Sequence, residues 1–256
     1  MHTKQTLLRD LENMRIDPRG TLFVHSSYKA IGPVEGGPDT VLDALTEYMQ
    51  DGLLALPAHT WSYINGSNPR FNVQDSATCV GILTELFRKR PGVLRSLHPT
   101  HSVCALGRDA ADFIAGNELC DTPCGRQSSY GKLLDREATI LFIGVDLCKN
   151  TFIHGVEEWN DIPNRLTDRI MPYVIELPDG SEISAPSRKH CGELWSYYFW
   201  KVNDLFIREG IMYTGHFGYA DTRVTNAATT NELLSRMLKA DPELFSTNEP
   251  LARVGD

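Results

Sequence analysis

Four short apolar runs, separated by segments with helical spacing, place the tightest limit on how this 256-residue chain can fold. They are TLFVH (21–25), GLLALPA (52–58), HSVCAL (101–106) and TILFIGVD (139–146). Apolar runs of this length that are bounded by turn residues are typical of strands. We therefore expect a sheet whose strands alternate with helices.

Helical stripes between these runs support that interpretation. Residues 3–14 carry four apolar side chains at helical spacing and begin with Thr3, a capping residue. Pro38 suits the first turn of another helix, where its missing N–H costs nothing. Further helices are predicted over 80–88, near Ala110, after Asn150, over 193–208, and from Thr229 or Thr230 to Lys239. The alternation predicts a single α/β domain over residues 1–256, with a mixed central sheet flanked by helices.

The remaining segments carry weaker signals. Residues 173–184 predict a hairpin around a Pro-Asp-Gly turn, and 211–217 predict a late strand. Residues 59–78 have no period and are predicted to form a long loop, which in a compact domain usually has a function. Residues 120–131 are rich in turn signals, and the tail beyond Pro242 is expected to be irregular.

Composition narrows the class of function. A formal net charge of −8 disfavours a nucleic-acid partner, which would need a basic face, and is compatible with a cationic small substrate. No apolar run is long enough to span a bilayer, and the N-terminus lacks a signal peptide's apolar centre. The protein is expected to be soluble and cytoplasmic, with six free thiols and no membrane partner. The sequence leaves the oligomeric state open, a homodimer included.

Two segments have the chemistry of a ligand site. In HSSYKAIGPVEGGPDTVLDAL (25–45), a strand ends in Ser26 and Ser27 and a helix opens after two glycines, so backbone N–H groups could hold a phosphate. The segment matches neither a P-loop nor GxGxxG, and an ordinary strand-turn-helix corner explains it equally well. In TPCGRQSSYGKLL (122–134), small polar residues and Lys132 would suit an anion, although the segment taken alone is only a loop.

NTFIHGVEEW (150–159) has the chemistry of a base. In a helix His154 and Glu157 lie on one face, and a carboxylate beside an imidazole fixes its tautomer and raises its basicity. A general base for an amine needs both properties. A solvated histidine on a helix surface gives the same pattern more often.

Two other chemistries compete with this one. His98, His101 and His154 could be metal ligands of a hydrolase, but HExxH is absent and the proline in HPTH opposes a helical ligand pair. Cys104 or Cys124 could form a thioester intermediate, but neither lies in a recognisable nucleophile motif.

Taken together and in order, HSSYKAIGPVEGGPDTV, FRKRPGVLRSLHPTHSVCALG, TPCGRQSSYGKL and NTFIHGVEEW resemble the antibiotic N-acetyltransferase family, typified by aminoglycoside 3-N-acetyltransferases. The resemblance is good over about residues 21–165 and looser beyond. It implies an α/β fold distinct from the GNAT acetyltransferases, acetyl-CoA as donor, no metal, an amine acceptor and a link to antibiotic resistance.

The resemblance also assigns residues. Those matching the family's CoA-holding segment are His25, Ser26, Ser27, Gly36, Gly37 and Thr40. Those matching segments that line the cofactor and the cleft are His98, Ser102, Ser128, Ser129, Tyr130 and Lys132. The family's histidine and glutamate correspond to His154 and Glu157. Two departures are Ser129, where the family often has proline, and the loop over 59–78, which is not clearly of the aminoglycoside type.

The expected mechanism is direct transfer in a ternary complex, in which His154, oriented by Glu157, takes the proton of the acceptor amine. Carboxylates expected to hold a cationic or amino-sugar acceptor are Asp75, Glu158 and Asp161. Two alternatives remain open from the sequence: a metal-dependent amidohydrolase, and a CoA-binding module that has lost acyl transfer.

Overall fold

The computed structural model of the chain describes residues 1–191 and 195–251. A seven-stranded sheet forms its centre, in the order β4-β5-β2-β1-β6-β10-β9. Its strands are β1 (Thr21–Ser26), β2 (Leu53–Pro57), β4 (Leu94–Arg95), β5 (Val103–Gly107), β6 (Thr139–Ile143), β9 (Met212–Phe217) and β10 (Ala220–Asn226). Strand β1 pairs in parallel with β2 and β6, whereas β5 and β10 pair antiparallel with their neighbours. The predicted mixed sheet is confirmed.

Helices cover both faces of this sheet. They are α1 (Lys4–Asn13), α2 (Tyr28–Ile31), α3 (Pro38–Tyr48), α4 (Ile82–Phe87), α5 (Ala110–Ile114), α6 (Ser129–Asp135), α7 (Thr151–Trp159), α8 (Asn203–Arg208) and α9 (Ala227–Ala240). Short 3-10 helices span Asn117–Leu119, Leu147–Lys149 and Trp195–Val202. No helix among the described residues is long and apolar enough to cross a membrane.

Alternation along the central strands divides the core into two layers. Phe23 and Phe142 pack with α6, α7 and α9, while Leu22 and Val24 pack with α1 and α3 on the other face. Both layers are fully buried, and each large side chain so buried contributes about 1.5–3 kcal/mol. Strands β1, β2 and β6 are mostly apolar because both faces of the sheet are covered there, which is why they stand out in the sequence.

A second sheet has three strands, one of which lies where a loop was predicted. Its strands are β3 (Arg70–Asn72), β7 (Val174–Glu176) and β8 (Glu182–Ser184), in that order. The predicted hairpin is confirmed as β7 and β8. The prediction of a loop over 59–78 is wrong for the three residues that form β3. Phe71 is buried beside Ile175, and Arg70 forms ion pairs with Glu176 and Glu182. Strand β3 has only three residues and pairs with β7, which is distant in the sequence, so its own sequence carries no periodic signal.

Other helices and strands of the structure differ from the predicted ones for local reasons. Helix α9 begins earlier than predicted, because Asn226 rather than Thr229 or Thr230 caps it, accepting from the N–H groups of residues 228 and 229. Strand β10 is not an apolar run, since its buried positions alternate with more exposed polar ones. The predicted helix over 193–208 is a 3-10 helix followed by α8, and its predicted start at Glu193 lies outside the described residues. Residues 242–251 hold no helix or strand, as expected.

Candidate active site

A cavity of about 820 Å³ opens where the parallel strands end. The carboxyl ends of β1, β2 and β6 meet at one edge of the sheet, the usual place for a ligand crevice in an α/β fold. Five histidines line it: His25, His59, His101, His154 and His190. They come from β1, the segment after β2, the segment before β5, α7, and the segment before residue 191.

Helix α7 presents His154 to this cavity. Asn150 caps the helix by accepting from the N–H of Phe152 at 3.2 Å. Nδ1 of His154 lies 3.0 Å from Oε2 of Glu157, and the other carboxylate oxygen accepts from Nε of Arg165 at 2.8 Å. Glu157 is only 1% exposed, so these partners hold it in place. The contacts assign the proton of the neutral imidazole to Nδ1, which leaves the Nε2 lone pair free.

Two rings flank His154. His190 stacks on it, with centroids 4.2 Å apart and planes inclined by 24°. Phe199 approaches edge-on at 5.0 Å. The His154 side chain is 17% exposed, so the packed ring can still be reached from the cavity.

A row of imidazoles runs inward from His154. After His190, the ring of His101 follows at 5.1 Å and that of His59 at 4.6 Å. Nε2 of His59 lies 2.6 Å from the Tyr130 hydroxyl. Burial holds the pKa of His59, His101 and His190 well below the usual range, so all three are neutral at pH 7.

The roles of His59 and His190 were not anticipated from the sequence. His59 follows β2 and His25 lies near the end of β1, and parallel neighbouring strands bring such positions together. That shared position is a signal that could have found His59. For His190 the local sequence offers none, because its neighbours in space come from α7 and from the segment before β5.

Glu158 lies behind His190 rather than on the cavity lining. Its carboxylate is 4% exposed, accepts from the N–H of Cys124 at 3.0 Å and lies 2.6 Å from Nε2 of His190. Burial raises the pKa of Glu158 to about 7. Asp75 and Asp161 are exposed and lie outside the described lining. The structure therefore brings none of the three expected acceptor carboxylates to the cavity.

The predicted donor segment reaches the cavity only in part. His25 and Ser26 line it, and His25 stacks on Phe142 at 5.3 Å with its planes 5° apart. Burial lowers the pKa of His25 to about 3. Its Nε2 has no hydrogen-bond partner among the described residues.

The other residues of that segment form the turn before α3 and the start of that helix. None of them is among the described residues that line the cavity. Ser27 donates its backbone N–H to Ile143. Gly36 and Gly37 adopt φ of 75° and 71°, a region that favours glycine. A Cβ on Gly36 would lie 2.5 Å from Oγ1 of Thr40, so the turn also needs the space.

Residues predicted near the cofactor serve mainly as supports. Ser102 donates to the carbonyl of Ala58 and accepts from Arg95, and Nδ1 of His98 accepts the N–H groups of residues 100 and 101. Burial lowers the pKa of His98 to about 4. These contacts fix the segment that carries His101 into the cavity wall.

The α6 segment is also built into the fold. Ser128 caps α6, and Ser129 donates to the carbonyl of Phe113. Lys132 donates to the carbonyls of Asp112 and Ala115 at the end of α5. None of these residues is among the described residues that line the cavity. Tyr130 is connected to the lining by its contact with His59.

Two lysines supply positive charge instead. Lys149 and Lys189 both line the cavity, as do Ser26 and Thr151. Nζ of Lys149 lies 5.5 Å from the ring centre of Tyr197, another lining residue. The cavity that contains His154 thus offers an anionic ligand two ammonium groups on its lining.

The competing chemistries fit this geometry poorly. His98, His101 and His154 do not form a convergent ligand group within the described residues; the one group found there is Cys124, Glu158 and His190. In that group the 2.6 Å between Glu158 and His190 is a hydrogen-bond length, too close for two ligands on one metal ion. Burial raises the pKa of Cys104 to about 12 and that of Cys124 well above its usual value, so both stay thiols.

Comparison with known proteins places the chain in a family. A profile of the family described as aminoglycoside 3-N-acetyltransferase matches residues 23–239. The chain is 28% identical over 243 residues, 87% of each chain, to the SPbeta prophage-derived aminoglycoside N(3')-acetyltransferase-like protein YokD of Bacillus subtilis (strain 168). It is 28% identical to aminoglycoside N(3)-acetyltransferase VII of Streptomyces paromomycinus, over 68% of this chain and 67% of that protein.

A solved structure shows the same fold with a donor product. The binary complex of AAC-IIIb with CoASH matches with a TM-score of 0.82 and 25% identity, covering 93% of this chain and 97% of the other. Acetyl-CoA is the donor in this family of acetyltransferases. The resemblance of four segments in the sequence is confirmed, and the chain belongs to the aminoglycoside 3-N-acetyltransferase family.

Proposed function

We propose that the cavity is where acetyl-CoA passes its acetyl group directly to an amine, with His154 as general base and Glu157 as its orienting partner. The observation that carries this proposal is the chain of contacts from Arg165 through Glu157 to Nδ1 of His154. This chain leaves the Nε2 lone pair as the proton acceptor nearest the cavity. A positioned base of this kind accelerates proton transfer by about 10²–10⁴.

The proposed reaction does not require a covalent bond between the acetyl group and the enzyme. The amine nitrogen attacks the thioester carbonyl while Nε2 of His154 takes its proton. The tetrahedral intermediate then expels the CoA thiolate, which takes that proton back from the imidazolium. The products are the acetamide and CoA with a free thiol, and His154 returns to its neutral form.

Lys149, Lys189 and Ser26 are the residues we assign to the donor. The phosphates of CoA are strong anions, and ammonium groups on the cavity lining are suited to bind them. The glycine turn, Thr40, and the residues around α6 then shape the site without touching the donor. Acetyl-pantetheine lacks the nucleotide phosphates, so we expect Lys149→Gln with Lys189→Gln to weaken acetyl-CoA binding by calorimetry and to leave acetyl-pantetheine binding unchanged. Equal loss for both donors would contradict this assignment.

The acceptor is proposed to be an amine of a small amino-sugar substrate, in keeping with the activities for which the relatives are named. A thiol-release assay with acetyl-CoA against aminoglycosides, simple amino sugars and alkyl amines tests this directly. We expect acetyl-CoA-dependent thiol release with amino-sugar amines, lost in His154→Ala. Absence of release with every amine would favour a CoA-binding module without acyl transfer, which the retained His154–Glu157 contact opposes.

A further inference from the structure

A second carboxylate–imidazole pair lies directly behind the proposed base. The adjacent residues Glu157 and Glu158 of α7 each hold one imidazole: Glu157 holds His154 at 3.0 Å, and Glu158 holds His190 at 2.6 Å. The two imidazoles stack on each other at 4.2 Å. We infer that Glu158 and His190 form a positioning pair that sets the charge beside the His154 ring during proton transfer. This inference rests on the proposed role of His154 as the base.

Because the two rings stack, the charge of His190 affects how readily His154 accepts a proton. Two imidazolium rings at 4.2 Å would repel each other strongly in a buried site. His154 can therefore accept a proton only while His190 is uncharged. His190 is 14% exposed in its side chain, so water screens this interaction weakly.

The two glutamates have different partners, and this separates their roles. Glu157 accepts from the guanidinium of Arg165, which favours the carboxylate form. Glu158 accepts from the backbone N–H of Cys124 and shares a proton with His190. Burial raises the pKa of Glu158 to about 7 and lowers that of His190 well below its usual value. The proton of the pair therefore lies on the carboxyl group below about pH 7 and leaves above it.

The direction of the effect follows from that charge change. Below the Glu158 pKa the pair is neutral, and above it the pair carries one negative charge next to His154. A negative charge there favours the imidazolium that His154 becomes in the transition state. Titratable groups packed around the pair are Cys120, Cys124, Tyr130, His59, His98, His101, His154 and Glu157. Burial raises the pKa of both cysteines and of Tyr130, and lowers that of His59, His98 and His101, so these six remain neutral near pH 7.

Glu158→Gln tests the inference because it keeps the shape of the side chain and removes the ionisation. Histidine ring resonances and kcat/KM are followed from pH 5.5 to 9 in the full-length wild type and variant. We expect the wild-type His190 ring signal to shift with a midpoint near pH 7 as Glu158 ionises, and this shift should be absent in Glu158→Gln. We also expect kcat/KM of the variant to fall about 3- to 10-fold below that of the wild type above that pH, the size of one lost charge interaction.

Two further variants separate charge from packing. His190→Phe keeps a stacked ring without the nitrogen. A purely structural role predicts an unchanged pH profile of kcat/KM, whereas the inference predicts a midpoint moved to higher pH, because the Glu158 carboxylate loses the ring N–H beside it. Cys124→Ala keeps the backbone N–H that Glu158 accepts from and serves as the control, with the wild-type profile expected. Thermal melting verifies that each variant is folded.

Superposed titrations in wild type and Glu158→Gln would overturn the inference even if His154→Ala is inactive. Normal turnover in His154→Ala would instead refute the proposed base. The two failures are therefore distinguishable.

Discussion

The buried carboxylate of Glu157 holds the imidazole of His154 through its Nδ1, at 3.0 Å. Both residues belong to α7, three positions apart, so one turn of helix sets their relation. The geometry is therefore local, and it depends on α7 remaining packed against the core through Phe152, Ile153 and Val156.

Replacing His154 with alanine should separate chemistry from donor binding. We expect turnover to fall by about two to four orders of magnitude, the usual contribution of a general base. Acetyl-CoA affinity, measured by calorimetry, should stay close to that of the wild type. His216→Ala is the matched control, since this histidine lies on β9 and its side chain is 72% exposed. Near-normal turnover in a folded His154→Ala protein would remove His154 from the mechanism.

This local relation explains what the sequence could predict. The spacing of His154 and Glu157 is visible in ten residues, and the four apolar strands are continuous runs. Arg165 lies beyond the end of α7, and its contact with Glu157 depends on how the chain turns back after residue 159. Glu158 illustrates the limit: its negative charge suggested contact with a cationic acceptor, but its side chain is directed to Cys124 and His190, which only the tertiary fold brings near.

Glu157→Gln should lower both stability and turnover, through different contacts. The amide cannot balance the buried guanidinium of Arg165, and breaking a buried ion pair from one side costs about 3–5 kcal/mol. It can also favour the wrong tautomer of His154, so we expect turnover to fall at least about tenfold. Urea unfolding and steady-state assays measure the two effects.

The double variant Glu157→Gln with Arg165→Met separates these effects. Removing the buried guanidinium together with its Glu157 partner should recover part of the stability, whereas turnover should stay low because His154 still lacks its carboxylate. Recovery of turnover along with stability would show that Glu157 acts only through the fold.

His25 should make the protein sensitive to acid. Burial lowers its pKa to about 3, so the folded state keeps it neutral while the unfolded chain takes up a proton below about pH 6.5. Stability is therefore fully present above that pH and is lost as the pH falls. By linkage, the loss from His25 alone should reach about 2 kcal/mol at pH 5.

His25→Phe tests this dependence, since the ring already stacks on Phe142 and edges against Phe23. We expect the stability advantage of the variant over wild type to grow between pH 7 and pH 5, as measured by urea unfolding at each pH. His216→Gln, at an exposed position, should show no such trend. A constant difference across this range would mean that His25 is protonated in the folded state.

Direct transfer also predicts that acetyl-CoA alone leaves no acetyl group on the protein. Cys104 and Cys124 are both fully buried, and burial raises the pKa of each thiol, so neither supplies a thiolate near neutral pH. The thiol of Cys124 donates to the carbonyl of Thr151 at 3.8 Å. Intact-protein mass spectrometry should therefore show no stoichiometric adduct, and initial-rate plots against the acceptor should intersect rather than run parallel. An adduct that maps to either cysteine and is discharged by the amine would contradict direct transfer, and His154 would then act on the thiol instead of the amine.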